Sequence, residues 1–97
     1  MSTAHAAVTA SVDVTSVSVG GGGDVFVRAS GAFVNPNNCT NGSRYLLPRD
    51  HGAKKELLAI LLTASASGMQ VVLGVLNTSC TTIGGQTYAT IFNIEVK

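Results

Sequence analysis

Tryptophan is absent, charge is scarce and no apolar run is long. Lysine and arginine together number six, aspartate and glutamate five, so the net charge is +1 and charged residues make up 11% of the 97. That is less than half the usual share of about 25%. Nucleic-acid binders carry a dense basic footprint, and this balance excludes one. A membrane-spanning helix needs about 20 consecutive apolar residues. The longest solid run, Leu57–Leu62, has six, so no membrane insertion is expected. A secretory signal needs an apolar stretch behind a basic start, and the opening MSTAHAAVTASV has neither. There is no internal repeat and no linker. The two histidines and two cysteines stand at no zinc spacing, so neither a metal nor a cofactor is expected.

What is present is apolar and β-prone. Apolar residues make up 45%, enough to bury one core. The chain reads as a single domain over residues 1–97, with residues 1–6 frayed. Cys39 and Cys80 are 41 positions apart in the polar contexts NPNNCTNGS and NTSCTTIGG. Free cysteines are usually buried as small hydrophobes, so these flanks suit a disulfide better than two independent thiols. A bridge of that span adds about 4 kcal/mol in the chain-entropy model and implies an oxidising compartment. The expectation is a secreted or periplasmic protein whose export signal is absent from this sequence.

Ala7–Val19 alternates with period 2, the mark of a half-buried strand. Val8, Val12 and Val14 share one parity, Val17 and Val19 the other. The switch near Thr15–Ser16 predicts a bulge or bend. Gly20–Gly23 reads as a hairpin loop into a second strand over Asp24–Val34. A phosphate cradle would need a helix to follow. Asn35–Gly42 is a loop and Ser43–Leu47 a short third strand. Asp50 is placed to cap a helix running to Ser67. Leu57, Leu58, Leu61, Leu62 and Ala64 form its apolar stripe, and Gly68 ends it. Met69–Leu76 is a central fourth strand. Asn77–Thr87 is a polar loop holding Cys80. Tyr88–Val96 is the last strand, with Tyr88, Phe92, Ile94 and Val96 facing the core.

The order β-β-β-α-β-β defines a mainly β fold. It is the order of the five-stranded Greek-key barrel, the OB-fold, with one helix between strands three and four. There the third and fifth strands run parallel, which brings the loops carrying Cys39 and Cys80 to one end. The alternative is an open α+β sheet with the helix on one face.

One resemblance extends this. The stretch AKKELLAILLTASASGMQVVLGVL, then a Cys loop and YATIFNIEV, is similar to the second half of bacterial AB5-toxin binding subunits. The group is the one found in pertussis toxin, subtilase cytotoxin and typhoid toxin. Lys55, Glu56, Leu57 and Leu58, then Ser67, Gly68, Gln70 and Val71, match its helix opening and Ser/Gly turn. The likeness covers Pro48–Val96, about half of the chain. It implies a non-catalytic, glycan-binding B subunit working as a homo-oligomeric ring, pentameric in that family. The sialic-acid site of such subunits lies in the first half, which matches in strand order alone, so no site residue is carried across.

Catalysis has little to build on. His5 stands near the start and His51 beside Asp50, where a capped helix with an exposed imidazole is the plainer reading than a proton-transfer pair. Asp13, Asp24, Asp50, Glu56 and Glu95 are too scattered to pair for glycoside chemistry. The chain is expected not to be an enzyme.

Sugar recognition asks for aromatic rings with a polar edge and, for an acidic sugar, bidentate guanidinium groups. Tyr45, beside Arg44 and near the asparagine-rich loop with Asn38, is the aromatic candidate; Phe33 and Tyr88 are the others, with Tyr88 read as core. Arg28, Arg44 and Arg49 are the candidate anion partners, against their ordinary reading as solvated surface charges. The candidate ligand set is Arg44, Tyr45, Asn38 and Arg28. Asn38-Cys39-Thr40, Asn41-Gly42-Ser43 and Asn77-Thr78-Ser79 fit the glycosylation triplet, as chance matches do in an Asn/Ser/Thr-rich chain.

Two functional classes follow. One is the glycan-binding ring subunit. Few charges guard the strand edges, and bare edges invite pairing. The other is a stand-alone structural or protein-interaction domain of an exported protein, with no sugar site. A strict monomer counts against the first.

Overall fold

The computed structural model describes residues 6–97. The expectation of a frayed start covers residues 1–6; residues 1–5, His5 included, lie outside the described residues. Ala6 opens a strand. The elements are β1 (Ala6–Val8), β2 (Val14–Val19), β3 (Val25–Ala29), β4 (Tyr45–Leu47), α1 (Lys54–Ser67), β5 (Val71–Ile83) and β6 (Gln86–Val96). They form one mixed sheet of six strands in the order β1-β5-β6-β4-β3-β2. Four neighbouring pairs are antiparallel and β4–β6 is parallel, as expected for the third and fifth strands. The open mixed sheet with one helix agrees with the α+β alternative.

The long first strand of the sequence reading is two strands. The bulge near Thr15–Ser16 is there, as a register shift between Val14 and Ser16. A second break spans residues 9–13. Thr9 marks it: its N–H donates to the Leu73 carbonyl and its hydroxyl accepts from Leu73 N–H, at 3.0 Å each. Val12 then exchanges two backbone hydrogen bonds with Val71. Val8, which shares parity with Val12, is 64% exposed, because the break separates the two faces.

Apolar residues on one face of the sheet meet the helix. Val12, Val14, Val25, Val27, Leu47, Val71, Leu73, Val75 and Ile91 are buried with Leu57, Leu61 and Ala64 of α1. Each such aliphatic side chain contributes about 2 kcal/mol on burial. The helical stripe is narrower than its spacing predicts, since Leu62 is 50% exposed. Asp50 does not cap the helix, which begins at Lys54. Ala53 stands before it and offers no side-chain acceptor. The acceptor is His51, whose Nδ1 receives the Ala53 N–H at 2.9 Å. Gly68 ends the helix as expected, at φ 76°, its N–H donating to the Ala64 carbonyl.

Asn77–Thr87 is not a loop. β5 continues to Ile83: after a register shift between Val75 and Cys80, Cys80–Ile83 pair with β6 up to a turn at Gly84–Gly85 with φ 58° and 85°. Threonine is β-branched and suits a strand, polar or not, so Cys80 sits within β5, opposite Ala89.

The core face of β6 also differs from expectation. Gly74 pairs with Asn93 and Val75 with Ile91, which leaves Phe92 as an extra residue. Such a bulge reverses the alternation. Ala89 and Ile91 therefore lie in the core and Ile94 packs against it, whereas Phe92 and Val96 are each 45% exposed.

Candidate functional site

The sheet face away from the helix carries the chemistry. Alternation along β3 turns Val25 and Val27 to the core and so turns Phe26 and Arg28 outward. On β4, Tyr45 faces the core. The residue before it, Arg44, precedes β4 and lays its guanidinium over Phe26 of β3 and Tyr88 of β6. On β6, Ala89 pairs with Tyr45, which places Tyr88 beside Arg44. Ser16 pairs with Arg28 from β2, and Thr81 with Tyr88 from β5. Arg44, Tyr88 and Thr81 form a short row on this face, and Ser16 and Arg28 a pair on β2 and β3.

The row has a built centre. The Arg44 guanidinium carbon lies 4.9 Å from the Phe26 ring centroid and 5.7 Å from that of Tyr88. The two rings meet edge to face, 5.3 Å apart. Arg44 Nη2 donates to the Tyr88 hydroxyl at 3.4 Å. Arg44 Nε is buried and has no acceptor. Among the described residues neither Arg28 nor Arg44 hydrogen-bonds a carboxylate: Asp24 receives the Arg49 backbone N–H and Asp13 the Gln70 side chain.

Arg44 is delivered by a turn. The Asn41 Oδ1 accepts the Arg44 N–H at 2.9 Å, the Ser43 N–H at 3.1 Å and the Ser43 hydroxyl at 3.3 Å, an Asx turn. Asn41 Nδ2 donates to Gln86 at 2.9 Å. Thr40 N–H donates to the Thr87 hydroxyl and Thr87 N–H to the Thr40 hydroxyl, each at 2.8 Å. The disulfide expected between Cys39 and Cys80 is present, with Cα atoms 5.9 Å apart. It ties this loop to β5.

Of the four candidates read from sequence, Arg44 lies against the Phe26 and Tyr88 rings, while Arg28 is exposed on β3, paired with Ser16. Tyr45 does not join Arg44. It is 1% exposed, stacked on Phe33 at 4.4 Å, and its hydroxyl accepts the Val34 N–H at 2.9 Å. Burial pushes its phenol up from the ordinary value of 10.0, against the opposing effect of that hydrogen bond. Asn38 is exposed at φ 51° in the loop before the disulfide, away from the row. Tyr88, read as core, is 5% exposed but lies on the outer face with Arg44. Arg49 donates from Nη1 to the Gly22 carbonyl at 3.5 Å, over the glycine hairpin. Phe26 and Asn41 were missed. The valines flanking Phe26 signal that it points outward, whereas nothing local in Asn41-Gly42-Ser43 tells an Asx turn from a chance triplet.

An open cleft of about 470 Å³ at the head of α1 is lined by His51, Gly52, Lys54, Lys55, Glu56 and Leu58. Both His51 nitrogens are engaged there, Nδ1 with Ala53 and Nε2 with the Phe92 carbonyl at 2.8 Å. Among the described residues no three His, Cys, Asp or Glu side chains group to hold a metal ion, and no helix is long and apolar enough to cross a membrane.

No family model matches the chain, and no curated protein matches it.

Proposed function

We propose that this chain is a non-catalytic, glycan-binding subunit of an exported homo-oligomer, of the kind the AB5-toxin resemblance implies. The observation that carries the reading is Arg44, laid against Phe26 and Tyr88 with its Nε unpaired and no carboxylate bonded to it among the described residues. Guanidinium groups bind carboxylate or sulfate in a fork, and half-buried Phe26 beside Arg44 supplies apolar ring surface for a sugar. The ligand class is a saccharide with an acidic substituent.

Two further features support assembly. β2 is a terminal strand of the sheet, and β6 beyond Thr90 has no partner on its β4 side. Val19, Phe92 and Val96 near these edges are 45–56% exposed. The Greek-key barrel belongs to the same reading, supported by the pairing of β1 with β5 and of β2 with β3 when β1 and β2 are taken as one kinked strand. The disulfide is compatible with an extracellular or periplasmic site of action.

Light scattering on the purified protein and an array of neutral, carboxylated and sulfated saccharides test the proposal. The expected result is a closed oligomer that retains acidic saccharides and loses them on Arg44→Met. A monomer that binds no saccharide would leave the stand-alone interaction domain as the function.

A further inference from the structure

We propose that the Cys39–Cys80 disulfide gates the arginine–aromatic site, which is assembled in the oxidised chain and loosened in the reduced one; the functional meaning of this gate rests on the ligand-binding role given to Arg44 above. The bond lies at one end of a short relay. Cys39 is followed by Thr40 and Asn41, and Asn41 Oδ1 holds the turn that places Arg44 over Phe26. The remaining ties of this loop are hydrogen bonds. Asn37 Nδ2 donates to the Leu76 and Ser79 carbonyls at 3.1 and 3.2 Å, and Thr40 and Asn41 reach Thr87 and Gln86 at positions open to water. Such bonds contribute little each where water competes. The guanidinium itself has one long hydrogen bond, to Tyr88, and an unpaired Nε. The turn that carries Arg44 is thus held by hydrogen bonds, the Asn41 N–H to the Thr87 carbonyl at 2.9 Å among them, and by one covalent cross-link beside it, at Cys39.

The chemistry is accessible from one side. Cys39 is 5% exposed, while Cys80 is half-buried. A dithiol reductant attacks the Cys80 sulfur as thiolate. The Sγ–Sγ bond breaks, and Cys39 leaves as a thiolate and takes up a proton. The second thiol of the reductant then displaces Cys80, so two electrons pass to the protein and the reductant ends as its own disulfide. A chain kept reduced before export would thus have a loosened site, and oxidation would complete it.

The test reads the Arg44 Nε–H by ¹⁵N NMR, which needs no ligand. In the oxidised protein this buried proton exchanges slowly with water. In excess dithiothreitol, with both thiols confirmed by titration, its exchange is expected to quicken by about tenfold or more, while the Val27 and Leu73 amides stay protected. Asn41→Ala, made with the disulfide intact, is expected to quicken it likewise, and it decides the matter if the reduced chain loses protection throughout. Unchanged Nε–H exchange in either the fully reduced folded protein or Asn41→Ala overturns the gate. A blank saccharide array on the oxidised protein, beside a clear change in exchange, would instead sink the ligand-binding role alone.

Discussion

The imidazole of His51 bridges two elements: Nδ1 receives the Ala53 N–H at 2.9 Å and Nε2 reaches the Phe92 carbonyl at 2.8 Å. The carbonyl is free for this because Phe92 is the bulged residue of β6. His51 thus ties the residue before the helix to the bulge of β6. Replacing it with alanine is expected to cost about 1 kcal/mol, measured by urea unfolding, with faster amide exchange at Ala53. An unchanged midpoint would show that water substitutes for the ring.

The contact between Arg44 and Phe26 is measurable as a coupling. A double-mutant cycle with Arg44→Met and Phe26→Leu is expected to give an interaction of about 0.5–1 kcal/mol, since the guanidinium is partly solvated. Strict additivity of the two single changes would mean that the ring and the charge ignore each other.

At Gly74 a Cβ would run into the side-chain amide of Asn93, its partner across the sheet. Gly74→Ala is expected to destabilise by about 1–3 kcal/mol as an overpacked site. Adding Asn93→Ala should recover most of that loss, and thermal unfolding of the single and double variants reads it.

Tyr45 gives the alkaline limit. Its phenol is raised above 10.0 by burial, so the folded chain holds this proton more tightly than the unfolded chain does. Its contribution is complete below about pH 10 and is lost as pH climbs toward the folded value. Urea midpoints are expected to fall above that pH, and Tyr45→Phe should flatten the fall while losing the hydrogen bond from Val34. A wild-type curve that stays level through the alkaline range would contradict this.

The disulfide closes a separation of 41 residues. Cys39→Ser with Cys80→Ser is expected to lower stability by about 4 kcal/mol, read as a shift in urea midpoint at constant slope. A shift below a quarter of that would mean that the unfolded chain is already constrained.

Period and parity made most of the fold legible. Alternating valines gave the strands, Gly68 the helix end, and the strand order the parallel pair of β4 and β6. What stayed hidden depended on long-range pairing. The Phe92 bulge exists because Gly74 accommodates Asn93, and no local pattern around Phe92 reports a glycine that precedes it by almost a whole hairpin. Asn77–Thr87 looked like a loop because its residues are polar, although threonine pairs well across strands. Within the site, Arg28 and Arg44 were legible as charges in a chain that has few. The contact of Arg44 with Phe26 and Tyr88 was not, since it rests on how β3 and β6 register with β4. The exchange of roles between Tyr45 and Tyr88 came from one residue of parity.

The break at Thr9 has a consequence for the order of folding. Leu73 N–H bonds the Thr9 hydroxyl across 64 positions, whereas β5 and β6 meet through a two-residue turn. Local pairings form quickly and distant ones slowly. The hairpin of β5 and β6 is therefore the natural nucleus, and β1, made before β5, must wait for it before its partner is present. Until it docks, β5 offers a bare edge, so the period between synthesis and docking is when this chain is most open to pairing with a neighbour.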